Sequence, residues 1–165
     1  MSLYDQSKGL SNLELEHYFT KHNIPFNEVD NMNKLNNPRT KQSIVYTGTQ
    51  PDAINNGVTK HWTYYSPFNK SKKELFDSYG DPTVYNQQFL NKNNINFVNR
   101  RQFQAFDTNV CGEYCAAWAK FLNEHPQSSV LPSSHLVEEF AQKHNLTKNR
   151  IQNDKNIRDY YQQTA

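Results

Sequence analysis

The run from Cys111 to Leu122 constrains the fold more than any other part of the chain. Ala116, Ala117, Trp118, Ala119, Phe121 and Leu122 are apolar through successive helical turns. A helix apolar nearly all round has no face to give to water, so it belongs at the centre, packed on several sides. The fold is therefore built around one buried helix that begins at a cysteine. The residues before it, Asp107, Thr108, Asn109 and Val110, read as the loop that delivers the chain to the helix start.

With 165 residues the chain has the length of one domain, 1–165, with a core over about 10–145 and a C-terminal helix and tail over 146–165. Only 35% of residues are hydrophobic, so the core must lean on 10 Phe, 10 Tyr and 2 Trp. The mean hydropathy of -0.97 raises disorder, but a net charge of +2 and clustered aromatics argue for order. No stretch approaches the roughly 18 apolar residues that span a bilayer. Met1 to Leu10 lacks the apolar centre of a secretory signal, so neither membrane insertion nor secretion is expected. Cys111 and Cys115 lie one helical turn apart, a poor geometry for a disulfide, which suits free thiols in a reducing, intracellular setting.

The remaining pattern alternates element types. Ser11 and Glu14 form a capping box for a helix carrying Leu15, Tyr18 and Phe19 and ending near Asn23, before Pro25. The polar stretch from Asn27 to Lys41 reads as a loop. Ser43–Thr47, His61–Ser66 and Glu74–Tyr79 are strand-like, with a turn over Pro67–Lys72, so 61–79 forms a hairpin. Pro82 starts a helix through Leu90, Ile95–Val98 is a fourth strand, and Gln102–Phe106 a fifth, short one. Ser133 and Ser134 cap a helix through His144. A last helix from Thr147 carries Ile151, Ile157 and Tyr160 and frays into a polar tail. Strands followed by helices around a central helix predict an α+β domain.

Cys111 stands where helix-start N–H groups and the helix dipole favour a thiolate, and Gly112 leaves room for a substrate backbone beside the sulfur. The competing reading is a structural cysteine, which fits Cys115, one turn further into the apolar helix. His61 opens a strand and can take the thiol proton and return it to a leaving amine. Asp77, one hairpin away, can orient that imidazole; alone it would read as a turn residue. Gln104, seven residues before Cys111, can donate to an oxyanion beside the Cys111 N–H, with Gln102 as the neighbouring candidate. The histidines at 17, 22, 125, 135 and 144 sit on amphipathic helices or in a loop and read as structural. Two cysteines without a second ligand pair do not make a zinc motif, and no metal is expected.

The order His61-Trp62, then Phe76-Asp77-Ser78-Tyr79-Gly80, then Gln104, then Cys111-Gly112 resembles the adenain-like cysteine proteases. That family includes the adenovirus maturation protease and its relatives in virophages and polinton-type elements, and is more distantly similar to the Ulp-type SUMO proteases. The N-terminal Leu10–Leu15 helix start followed by Ile24-Pro25-Phe26 also resembles the virophage and polinton branch, and the resemblance covers roughly residues 10 to 125. It implies a papain-like superfold of the adenain/Ulp type, its central helix packed on a small mixed β-sheet. It also implies His61 as base, Asp77 as orienter, Gln104 as oxyanion donor and Cys111 as nucleophile. Trp62 would cover one side of the site, and with Gly112 would line the substrate.

The implied activity is that of a monomeric endopeptidase cleaving viral capsid and core precursors during virion maturation, in the virion and the viral factory of the host cytoplasm. Adenovirus enzymes carry Glu where Asp77 stands; the polinton and Ulp-type branches carry Asp. The resemblance allows activation by a viral peptide or by DNA. A charge of +2, with acidic residues among the basic clusters, gives little non-specific nucleic-acid affinity. Two alternatives share the fold: a protease that removes ubiquitin-like modifiers, and a non-catalytic binding module. The second is disfavoured because all four site residues are present.

Overall fold

The structure, a computed structural model, describes residues 10–25, 29–31, 43–46, 62–69, 72–80, 95, 97–105 and 108–165. His61, the 48–59 segment and the expected 82–90 helix lie outside the described residues.

Helix α1 (Asn12–Lys21) starts at the expected capping box: the Glu14 N–H donates to Ser11 Oγ at 3.2 Å, and the Ser11 N–H donates to Glu14 Oε1 at 3.1 Å. It ends where Asn23 turns left-handed (φ 53°) and the Ile24 N–H reaches back to the Phe19 carbonyl at 2.9 Å, burying Ile24. The sheet runs β1 (Val29–Asn31), β2 (Ser43–Tyr46), β3 (Trp62–Asn69), β4 (Lys72–Phe76) and β5 (Phe97–Val98), in that spatial order. The outer pairs are parallel and the inner ones antiparallel, so the sheet is mixed. Helix α2 (Cys111–Glu124) crosses it, followed by α3 (Ser133–Lys143) and α4 (Arg150–Thr164). The molecule is α+β.

Several expectations are corrected. Part of the 27–41 loop is strand β1, which parallels β2; a polar strand of this length carries no periodicity to reveal it. Strand β3 continues past Pro67 to Asn69, with a register irregularity between Ser66 and Asn69 that accommodates the proline. The Gln102–Ala105 segment is irregular rather than a strand, because its backbone groups bond to a turn instead of a ladder. Helix α3 is capped by Pro132, not by a serine side chain; Ser133 Oγ donates to the buried Glu74 carboxylate. Helix α4 starts at an Asn149 cap and stays regular to Thr164. It buries Ile157 and Tyr161 in the common core, which therefore runs well past residue 145, while Ile151 is exposed.

Trp118 is the centre of the packing. Its ring stacks on Phe76 of β4 (4.7 Å between centroids, 11° between planes) and meets Phe140 of α3 edge-on at 5.2 Å. Tyr64 and Phe76, paired across β3 and β4, face this cluster, while the next pair, Tyr65 and Leu75, is buried on the other side of the sheet. The sheet and α2 thus hold each other through ring contacts, and the N-terminal end of α2 comes to rest against the start of β3.

Candidate active site

Cys111 is the first residue of α2, buried, with a free thiol. Its Sγ accepts a hydrogen bond from the Trp62 N–H at 3.4 Å. That nitrogen belongs to the peptide bond joining Trp62 to residue 61, so forty-nine positions of chain separation close to a direct contact at the thiol. Cys115, one turn on, differs sharply. It is free but wholly buried, and burial first, then Cys111, then Asp77, pushes its thiol pKa well above normal. The Asp77 carboxylate is therefore within electrostatic reach of α2.

Asp77 follows β4 and opens a turn. The Gly80 N–H donates to the Asp77 carbonyl at 3.0 Å, and the Tyr79 N–H donates to Asp77 Oδ1 at 2.9 Å, which fixes the carboxylate's plane. The turn requires Gly80, at φ +63°, where a Cβ would stand 2.6 Å from the Arg101 carbonyl. Asn99, buried after β5, holds the turn from the other side. Its Oδ1 accepts the Asp77 N–H and its Nδ2 donates to the Asp77 carbonyl, both at 2.6 Å. The turn is one more ladder step in effect, with a side-chain amide standing in for a strand.

The Gln104 segment is bolted to the same turn. The N–H groups of Phe103 and Gln104 both donate to the Ser78 carbonyl, at 2.9 and 3.0 Å. Ser78 Oγ donates to Gln104 Oε1 at 2.5 Å. Gln104 Nε2 donates to the Thr108 carbonyl at 2.9 Å, with Thr108 Oγ1 at 3.2 Å and the Tyr79 hydroxyl at 3.3 Å as weaker partners. The Thr108 carbonyl, an acceptor only, decides which end of the amide is nitrogen. Gln102 is separated from Gln104 by role: its Nε2 donates to the Gln104 carbonyl at 2.9 Å, so it braces the backbone of the segment.

Trp62 and Gly112 meet at Leu10. The Trp62 indole N–H donates to the Leu10 carbonyl at 3.1 Å, and a Cβ on Gly112 would stand 2.9 Å from Leu10 Cβ. The space beside Gly112 is filled by the lead-in to α1, which is a packing reason for glycine there.

The β3–β4 register pairs Tyr64 with Phe76 and Tyr65 with Leu75. Carried one step further, it sets Thr63 beside Asp77, two residues from His61. The thiol, the β3 start, the Asp77 turn and the Gln104 segment thus converge on one end of α2. Sequence reasoning missed Asn99, Ser78, Thr108 and Asp154. The last is a buried carboxylate on α4 that accepts from Thr108 Oγ1 and the Tyr114 hydroxyl, each at 2.9 Å.

No family model matches the chain, and no curated protein does. Among solved structures it is similar to the central domain of the uncharacterized Lpg1148 protein from Legionella pneumophila, at 15% identity over 96% of this chain and 99% of that one, with a TM-score of 0.43. Among the described residues no helix is long and apolar enough to cross a membrane.

Proposed function

We propose that the protein is a cysteine endopeptidase on the adenain/Ulp variant of the papain-like superfold, with Cys111 as nucleophile, His61 as base, Asp77 as its orienter and Gln104 as an oxyanion donor. The observation that carries this reading is the 3.4 Å contact between the Trp62 N–H and Cys111 Sγ, which joins the residue after the histidine to the thiol. The Asp77 turn and the Gln104 segment, hydrogen-bonded through Ser78 beside the same helix end, support the other two roles.

In this mechanism the Cys111 thiol gives its proton to His61 and the thiolate adds to the scissile carbonyl. The negative charge gathers on the carbonyl oxygen, where the Cys111 N–H and a Gln104 N–H receive it. Gln104 Nε2 has its shortest bond to the Thr108 carbonyl and two longer contacts, to the Thr108 and Tyr79 hydroxyls, and an oxyanion would compete with the longer pair as a charged acceptor. His61 then protonates the leaving amine, and a water it activates hydrolyses the thioester. Capsid and core precursors are the proposed substrates, cleaved by a monomer in the virion and viral factory.

The test is mass spectrometry of capsid precursor polypeptides, and in parallel of ubiquitin-like modifier precursors, after incubation with wild type and with Cys111→Ala. Cleavage of the capsid set by wild type alone is expected. Cleavage of the modifier set alone would replace the substrate class, and cleavage that persists in Cys111→Ala would sink the mechanism.

A further inference from the structure

We propose that Asp154 is a positioning residue for the oxyanion site, locking the loop that carries Gln104 to the helix that carries Cys111. The inference rests on the protease reading above.

The carboxylate is 3% exposed and sits on α4, far in sequence from every candidate catalytic group. Its Oδ1 accepts from the Tyr114 hydroxyl at 2.9 Å, and Tyr114 lies on the first turn of α2, three residues beyond the nucleophile. Its Oδ2 accepts from Thr108 Oγ1 at 2.9 Å. The Ala105 N–H reaches both oxygens, at 3.4 and 3.3 Å. One anion therefore gathers donors from both ends of the loop and from the catalytic helix. The next link is direct, because the Thr108 carbonyl accepts the short Gln104 Nε2 bond at 2.9 Å. Asn153 completes the clamp: its Nδ2 donates to the Phe103 carbonyl at 3.1 Å, and the Tyr114 hydroxyl lies 3.2 Å from the same carbonyl.

Burial of a carboxylate is costly unless several donors meet it, and apolar side chains of similar volume commonly serve stability as well. A two-oxygen acceptor is needed here because the donors come from two elements whose separation sets the oxyanion geometry. Burial raises the Asp154 pKa, while Tyr114, Thr108 and the Ala105 N–H pull it back.

Asp154→Asn keeps the side chain's size but removes the charge and one of its two acceptors. The Ala105 N–H, which reaches both oxygens and cannot accept, loses a partner. The Thr108 or Tyr114 hydroxyl must turn to its other acceptor, the Ala105 carbonyl at 2.9 Å or the Phe103 carbonyl at 3.2 Å, releasing its hold on residue 154 as a donor. In the full chain, on a peptide amide whose cleavage depends on Cys111, kcat should fall about ten- to a hundredfold, the scale of a displaced catalytic group. KM should hold within about twofold, as for loss of an interaction made in the transition state. Alkylation of Cys111 by iodoacetamide builds no oxyanion, so its rate should hold too. In a Gln104→Ala background the second substitution should change kcat by less than about twofold, because the two act through one group. Thr108→Val, which cuts one link and spares the Tyr114 and Ala105 bonds, should show the same pattern at smaller size and stands in if Asp154→Asn does not fold. An unchanged kcat, a full further loss in the Gln104→Ala background, or alkylation that slows in step with kcat would overturn the proposal. Wild type without Cys111-dependent cleavage would overturn the protease reading, and this inference with it.

Discussion

Asn99→Ala is the substitution whose cost is most directly set by the structure. The side chain is 1% exposed and makes three hydrogen bonds: from the Asp77 N–H and to the Asp77 carbonyl at 2.6 Å, and to the Arg101 carbonyl at 3.3 Å. Alanine removes all three without opening the site to water. The Asp77 carbonyl keeps its bond from the Gly80 N–H, so its loss is that of one ordinary bond, about 1 kcal/mol. The Asp77 N–H loses the short Asn99 bond at a buried position, a penalty of about 1–3 kcal/mol. The long Arg101 bond adds little, so the expected destabilisation is about 2–4 kcal/mol. Urea denaturation followed by tryptophan fluorescence reads it, since Trp62 and Trp118 are both buried in the core. Asn99→Asp should fare no better, because it keeps the acceptor for the Asp77 N–H but sets an anionic oxygen against the Asp77 carbonyl. The function should respond as well. On the proposed mechanism, a turn that no longer holds the Asp77 carboxylate would leave the imidazole unoriented, and a misplacement of about 1 Å costs about a hundredfold in rate. Here alkylation of Cys111 should slow along with hydrolysis, since in that mechanism both need His61 to take the thiol proton. A midpoint within about 0.5 kcal/mol of wild type, with alkylation unchanged, would refute the account of Asn99 as the brace of this turn.

Gly80→Ala should cost about 2–4 kcal/mol in the same assay, from left-handed backbone strain and from a Cβ 2.6 Å from the Arg101 carbonyl; a neutral result would mean that the turn is not as described. Gly112→Ala should destabilise wild type by about 1–2 kcal/mol but be neutral or stabilising in a Leu10→Gly background, which removes the Cβ it meets. A raised KM with stability unchanged would instead assign the glycine to substrate approach. Iodoacetamide on the native protein should modify Cys111 and spare Cys115, whose thiol is buried and raised in pKa; a tryptic map showing both modified at equal rates refutes this. His144, buried against Phe140 and Tyr160, has its pKa lowered from 6.5 to about 4, by burial first and then by Lys143 and Lys120. The unfolded chain takes the proton first, so stability is whole above pH 6.5 and falls by about 2–3 kcal/mol towards pH 4.5, and His144→Gln should flatten that fall.

Much of the fold was legible because apolar burial leaves a period in the chain. The α2 helix, the capping box of α1 and the β3–β4 hairpin each announce themselves within a few residues; the two helices lie within about two positions of their expected ends, and the hairpin strands end about three positions from theirs. Strand β1 was not legible. Val29, Asp30 and Asn31 carry no alternation, and the strand exists because β2 offers it a parallel edge. The end of the core was misplaced for a similar reason. Helix α4 looks polar by composition, yet Asn153 and Asp154 are buried beside Ile157 and Tyr161, so its inward face is half amide and carboxylate. Hydrophobic periodicity cannot see a polar residue buried for its hydrogen bonds.

The same limit divides the candidate site. Cys111, Asp77 and Gln104 could be picked out because each stands in a local context that suits its chemistry. The groups that hold them could not. Asn99 is one of 22 asparagines, and nothing in its neighbours sets it apart from Asn96 or Asn109. Its role comes from facing Asp77 across a strand pair that is parallel, β4 against β5, and therefore distant in sequence. Ser78 is more instructive, since it stands beside Asp77 within the run that carries the family resemblance and still showed no role of its own. Its backbone carbonyl receives two N–H groups and its hydroxyl a third partner, and all of these come from Phe103 and Gln104. A reactive side chain is recognised by what it is, whereas a positioning side chain is recognised only by what it touches. The supporting shell of a site like this is therefore where substitutions would do unexplained damage if only the reactive residues were known.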